Sequence, residues 1–111
     1  MMFGFSKLRR ALLVEELQRM ASELPRLGVE RAWLIGDLAD SLVGPESQLE
    51  FVVIHKTAEP FHRRSDFFVT HLRPSVGTNF LVYTPDEFDQ FSDSDQLLLR
   101  AIRGGEGLPD V

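Results

Sequence analysis

The sequence predicts a single α/β (α+β) domain in which a small sheet of three or more strands packs with helices. Three short apolar runs, at residues 31–35, 49–55 and 79–83, have the length and composition of β-strands. Segments whose apolar residues recur every three or four positions alternate with these runs, as expected for amphipathic helices. This alternation is typical of a sheet covered by helices. We expect residues 1–111 to form one domain, with its core within about residues 29–91.

The composition is that of a folded, acidic chain without cysteine. Its 111 residues suffice for one hydrophobic core, and 43% of them are hydrophobic. The absence of cysteine excludes disulfides, thiolate zinc sites and cysteine nucleophiles. The net charge of −5 gives no general attraction for nucleic acid, and no apolar run is long enough to cross a bilayer. We therefore expect a cytoplasmic protein that binds neither nucleic acid nor a membrane.

The first element is predicted to be an amphipathic helix from about residue 6 to residue 24. Ser6 is a suitable N-cap, and Pro25 and Gly28 mark the end of the helix. One stripe of this helix is apolar and is expected to pack on the sheet. The stripe consists of Leu8, Leu12, Leu13, Leu17, Met20, Ala21 and Leu24.

Two strands and a polar connection follow the first helix. Arg31–Ile35 is the first predicted strand, and Asp37–Val43 is predicted as a short helix or turn. The second strand, Leu49–His55, is almost continuously apolar, which is typical of a central strand covered on both faces. Trp33 is expected in the core.

The remaining pattern predicts a helix, a strand and two further helices. A helix is expected between Pro60 and Arg73, and the third strand over Asn79–Tyr83. Thr84-Pro85-Asp86-Glu87 begins another helix, because Thr84 can cap it, Pro85 suits its first position and Glu87 can complete a capping box. A last helix is predicted over about residues 94–103, before two glycines.

The most specific pattern lies at the ends of the predicted strands. Gly36-Asp37 follows the first strand, Gln48-Leu49-Glu50 opens the second, and Asn79 lies near the start of Thr78–Phe88. These motifs resemble the minimal nucleotidyltransferases of the DNA polymerase-beta superfamily, which have a Gly-Ser turn, an Asp-x-Asp motif and a third Asp at the corresponding positions. The resemblance covers residues 29–91 and implies the polymerase-beta-like nucleotidyltransferase fold, with a small mixed sheet.

The resemblance also implies a site whose chemistry has been largely removed. In the family, three carboxylates hold two magnesium ions, and the Gly-Ser turn binds the triphosphate of a nucleotide. Gln48 and Asn79 are amides, which are poor magnesium ligands, and Glu50 is left as the one matching carboxylate and a weak metal candidate. At the nucleotide-binding turn, Gly36 is followed by Asp37, whose negative charge opposes a triphosphate. We therefore expect degenerate sites, no cofactor and loss of nucleotide transfer.

Three hypotheses about function follow. The first is a catalytically inactive binding or regulatory module, since small members of the family are often paired with a helical HEPN-type protein in toxin–antitoxin-like modules. The second is an active magnesium-dependent enzyme, in which Glu50 and either Asp37 or Asp40 hold one ion and the adenylyl group of ATP is moved to a protein. The third is a homo-oligomeric structural protein held together by the apolar stripes of the first and last helices.

Overall fold

The computed structural model of the protein describes residues 2–91, 102 and 105–108. Its elements, in chain order, are α1 (Met2–Glu23), a 3-10 turn (Pro25–Leu27), β1 (Val29–Ile35), β2 (Leu49–His55), α2 (Phe61–Leu72), β3 (Thr78–Tyr83), α3 (Pro85–Gln90) and β4 (Glu106–Gly107). The predicted α+β class, with a small sheet packed with helices, is confirmed.

The four strands form one mixed sheet in the order β3-β2-β1-β4. Strands β1 and β2 are antiparallel, with Ile35 opposite Glu50. Strands β2 and β3 are parallel, and α2 provides the crossover that a parallel pair requires. Strand β4 pairs antiparallel with β1 through Glu106 and Gly107.

Both faces of the central strand β2 are covered. On one face, α1 and α2 pack against the sheet through buried side chains that include Leu13, Met20, Leu24, Phe51, Phe68 and Leu72. On the other face, Trp33, Val52 and Ile54 form a smaller cluster, and Phe88 of α3 stacks on Trp33 with 5.4 Å between ring centroids. Trp33 is 8% exposed, so its predicted place in the core is confirmed.

The start of α1 differs from the prediction. The helix begins at Met2, so Ser6 lies inside it and is not its N-cap, because no proline interrupts the preceding residues. Leu8 and Leu12, predicted to pack on the sheet, are 59% and 45% exposed. A helix of 22 residues is about 33 Å long, whereas a seven-residue strand spans about 23 Å, so α1 is longer than the sheet it covers.

The connection between β1 and β2 is a series of turns. The Asp40 amide donates to the Gly36 carbonyl at 2.9 Å, and the Leu42 amide donates to the Asp37 carbonyl at 2.8 Å. Ser41 has a φ of 59°, in the left-handed region that a right-handed helix does not use. For Asp37–Val43, the predicted turn is therefore confirmed and the predicted short helix is wrong.

The other predicted bounds lie close to the observed ones. Strand β1 begins at Val29, earlier than predicted, while β2 has the predicted bounds. The helix expected over about 94–103 lies outside the described residues, apart from Ile102. The short strand β4 was not predicted.

A buried arginine joins α2 to α3 and β3. Arg64 is 9% exposed, and its guanidinium donates to the Glu59 carbonyl at 2.8 Å and to the Val82 carbonyl at 3.2 Å. The same guanidinium forms an ion pair with the Glu87 carboxylate. Hydrogen bonding from Arg64 and, to a smaller extent, from the Thr84 amide lowers the pKa of Glu87 from its ordinary value. No helix within the described ranges has the length and apolar character of a membrane span.

Candidate functional site

The strand register brings three of the predicted site positions to one end of the sheet. Ile35, the last residue of β1, lies opposite Glu50 near the start of β2, and Glu50 lies beside Asn79 near the start of β3. Gly36 follows Ile35 directly, so the Gly36 turn lies at the same end. Gln48 comes just before β2, and its side chain contacts that of Asn79, so it lies at the same end of the sheet. This arrangement defines the strand-end site: Gly36, Gln48, Glu50 and Asn79.

Gly36 and Glu50 are in close contact. Gly36 has a φ of 83°, which favours glycine, and a Cβ at this position would collide with Oε2 of Glu50. The Glu50 carboxylate therefore lies directly against the backbone of the turn. No described residue donates a hydrogen bond to this carboxylate or pairs with it. It is half-buried and retains contact with water.

The two amides of the strand-end site interact with each other. Nδ2 of Asn79 donates to Oε1 of Gln48 at 3.4 Å, and both side chains are exposed. The Gln48 side chain also lies over Gly77, where a Cβ would come within 2.8 Å of its Cδ. The resemblance implies metal-binding carboxylates at these two positions. In this chain they hold two neutral amides joined by a long hydrogen bond.

Asp37 is committed to the structure of the loop. The Ser47 hydroxyl donates to Oδ2 of Asp37 at 2.7 Å and accepts a hydrogen bond from the Gly44 amide at 2.8 Å. Ser47 is 6% exposed, and its carbonyl accepts a hydrogen bond from Nε of Arg9 at 3.0 Å. The Asp37 carboxylate therefore closes the connection between β1 and β2.

The side chains of the strand-end site do not fit a two-metal centre. Such a centre needs several carboxylates to offset the charge of two divalent ions. Glu50 is a single carboxylate between two amides, and the described residues contain no cluster of three acidic, histidine or cysteine side chains suited to a metal ion. Beside the site lies a half-open cavity of about 290 Å³, lined by Glu50, Asn79 and other residues of α2 and β3. Its lining can donate and accept hydrogen bonds through Asn79 and Ser65.

The histidines are divided between aromatic contacts and the surface. His55 stacks on Phe67 with 5.3 Å between centroids, and His71 lies against the same ring at 4.3 Å. His71 also contacts the Phe67 carbonyl through Nδ1 at 2.8 Å. His62 is exposed near the start of α2. None of the three lies in the strand-end site.

The predicted positions Gly36, Gln48, Glu50 and Asn79 lie together at one end of the sheet, whereas the contacts of Gly77 and Ser47 were not predicted. Gly77 lies just before β3, and its missing side chain makes room for Gln48. A glycine just before a strand is a weak signal for such a close contact. The role of Ser47 depends on a turn whose geometry has no signature in the sequence.

No protein-family model, curated protein or solved structure matches this chain.

Proposed function

We propose that this chain is a catalytically degenerate nucleotidyltransferase-like protein that acts as a protein-binding or regulatory module in the cytoplasm. The observation that carries the proposal is the strand-end site, where the register aligns Gly36, Glu50 and Asn79 while leaving one carboxylate among neutral amides. The resemblance implies three metal-binding carboxylates at Gln48, Glu50 and Asn79, and Glu50 is the one charged side chain of these three. The cysteine-free composition suits a cytoplasmic location.

The hydrogen bond that holds the Asp37 carboxylate supports the loss of nucleotide transfer. This carboxylate is held by the Ser47 hydroxyl at 2.7 Å, which commits it to closing the loop. A triphosphate at the Gly36 turn would meet this charge and that of Glu50 at close range. Without a set of carboxylates to hold metal ions, nothing in the described site offsets that repulsion.

A surface on α1 supports the binding role. Leu8 and Leu12 are 59% and 45% exposed and lie four residues apart, so they occupy the same side of the helix. An apolar pair of this kind is suited to packing against another helix. We propose that this pair contacts a helical partner of the HEPN type, as in a toxin–antitoxin-like module.

Calorimetric titration with ATP tests the catalytic part of the proposal. We expect no heat of binding with or without magnesium, for the wild type and for Glu50→Gln alike. Magnesium-dependent binding that Glu50→Gln abolishes would instead support the active enzyme that moves an adenylyl group with a single ion at Glu50. Gln48→Glu is a useful companion, because it adds one carboxylate at the same end of the sheet and is expected to create weak magnesium binding.

Co-purification with a HEPN-type protein tests the partner. We expect a complex that the double change Leu8→Glu and Leu12→Glu reduces at least tenfold in affinity. Gln18→Glu is the control, because it adds a negative charge to an exposed position of the same helix. Equal loss of binding in the control, or none in the double variant, would contradict a contact through Leu8 and Leu12.

A further inference from the structure

Strand β3 is an open edge of the sheet. It pairs with β2 on one side, and no described strand lies on its other side. Its sequence, TNFLVY, contains no charged residue and no proline, and its register with β2 is continuous from Thr78 to Tyr83. Natural proteins usually protect an edge with lysine, proline or a bulge. Strand β3 has none of these, so it is suited to pairing with another strand.

Helix α2 lines this edge with a partly apolar stripe. Phe61, Ser65 and Val69 are spaced four residues apart and share one side of the helix. Phe61 and Val69 are 48% and 45% exposed. Ser65 and Val69 line the same cavity as the first residues of β3. We name this combined surface, made of Phe61, Ser65, Val69 and the outer edge of Thr78–Val82, the α2–β3 groove.

The middle of the α2 stripe lies beside the middle of strand β3. The chain reverses between α2 and β3, so Val69 lies beside the start of β3, while the Phe61 ring lies 5.3 Å from the ring of Tyr83 at its end. Ser65, midway along the stripe, therefore lies beside the middle of the strand. A two-fold axis at this point would pair β3 with a second β3 in antiparallel fashion and also bring two α2 stripes together.

We propose that the α2–β3 groove binds a second copy of this chain through that two-fold axis. Phe61 then packs against the partner's Val69, and the axis repeats this contact on the other side. Ser65 is small, so it lets the two helices approach closely at the axis. The two β3 strands join two four-stranded sheets into one continuous sheet. This inference does not depend on the proposed function.

Two polar side chains beside the groove favour a second copy as the occupant. Asp66 and His62 are exposed on α2, and neither forms an ion pair with a described residue. They lie one turn apart on either side of Ser65 along the helix, so an antiparallel partner brings its His62 close to Asp66, and symmetry repeats the contact. A histidine ring can donate a hydrogen bond to a carboxylate, so each copy offers the side chain that the other copy's Asp66 needs.

The size of the contact sets the expected affinity. A six-residue strand is about 20 Å long, so each copy contributes only one short strand edge and the exposed side of one helix. Stable dimers usually bury about 800 Å² per partner. We therefore expect a reversible dimer that forms at micromolar or higher concentration.

Cysteine cross-linking tests the arrangement directly, because the natural chain has no cysteine to interfere. Under mild oxidation, Ser65→Cys is expected to form a disulfide-linked dimer, since the two Ser65 positions meet at the axis. Thr70→Cys, exposed on another side of α2, is the control and is expected to remain monomeric. Equal cross-linking of the two variants would overturn the proposal.

Sedimentation equilibrium gives the second measurement. The wild type is expected to be a concentration-dependent dimer, and Val69→Lys to weaken its association at least tenfold while leaving the circular dichroism spectrum unchanged. Leu8→Glu is the matched control on α1 and is expected to leave association unchanged. A wild type that remains monomeric at every concentration, or a dimer lost through Leu8→Glu and retained in Val69→Lys, would overturn the proposal. So would a monomer whose β3 amides become protected from hydrogen exchange only when a different protein is added.

Discussion

Glu16 is a nearly buried carboxylate that ties α1 to the end of α2. It is 6% exposed and forms an ion pair with Arg19 on the same helix. It also accepts a hydrogen bond from the Ser75 amide, and Arg19 donates to the Leu72 carbonyl at 2.7 Å. Hydrogen bonding from Arg19, aided by Ser75 and opposed by burial, lowers the pKa of Glu16 from 4.5 to about 2.

This carboxylate should make the stability of the fold depend on pH. Because its pKa is lower in the folded chain, ionised Glu16 stabilises the fold fully above about pH 4.5, and this contribution is lost as the pH falls towards 2. We expect Glu16→Gln to lower the free energy of unfolding by about 1–3 kcal/mol at pH 7 and by much less near pH 3. Urea unfolding at both pH values measures the difference.

The matched control for this prediction is Glu23→Gln. Glu23 also pairs with Arg19, at 3.2 Å, but it is 32% exposed. Water screens such a contact, so the change should cost no more than about 0.5 kcal/mol at either pH. An equal effect of the two substitutions would contradict the special role of Glu16.

The sequence predicted candidate site residues but not the contacts that these residues make. Gly36, Glu50 and Asn79 were recognised because their types and spacing resemble a known pattern. The hydrogen bond from Ser47 to Asp37 was not foreseen, because it depends on the path of the chain from Gly36 to Ser47. Serine and aspartate in such a loop fit many hydrogen-bonding arrangements.

Among the elements, α3 is the one whose start the sequence describes most completely. The Thr84 hydroxyl accepts a hydrogen bond from the Glu87 amide at 3.2 Å, and the Glu87 carboxylate accepts one from the Thr84 amide at 2.9 Å. The predicted capping box is therefore confirmed. The same carboxylate pairs with Arg64 of α2, so the cap also anchors α3 to the rest of the fold.

Loss of this cap should be measurable. Thr84→Ala removes the acceptor for the Glu87 amide and is expected to lower the free energy of unfolding by about 1 kcal/mol. Thr84→Ser keeps the hydroxyl and is expected to stay within about 0.5 kcal/mol of the wild type. Chemical unfolding of the two variants checks the prediction, and similar losses in both would show that the methyl group of Thr84, rather than its hydroxyl, stabilises α3.

Other elements show where local patterns suffice and where they fail. The bounds of β2 were predicted because its apolar run ends at polar residues on both sides. Strand β4 was not predicted, since Glu106 and Gly107 have no strand-like pattern and pair with β1 only because the fold places them there. The start of α1 was misplaced because Ser6 suits both a helix cap and a helix interior.

For the whole molecule, the fold class follows from the sequence while the strand directions do not. Alternating strand and helix patterns predict a sheet covered by helices. The antiparallel pairing of β1 with β2 depends on the short turn-rich connection, and the parallel pairing of β2 with β3 depends on α2 crossing over the sheet. Only these directions bring Gly36, Glu50 and Asn79 to the same end, so the composition of the site was predictable and its geometry was not.

The neutral pair of Gln48 and Asn79 has a consequence for folding itself. Three carboxylates at the end of a sheet repel one another until cations bind between them, so the assembly of such an end depends on the ionic conditions. In this chain, Glu50 is the single charge among these three positions, and the two amides attract each other. The strands can therefore join at this end without a counter-ion between these three side chains.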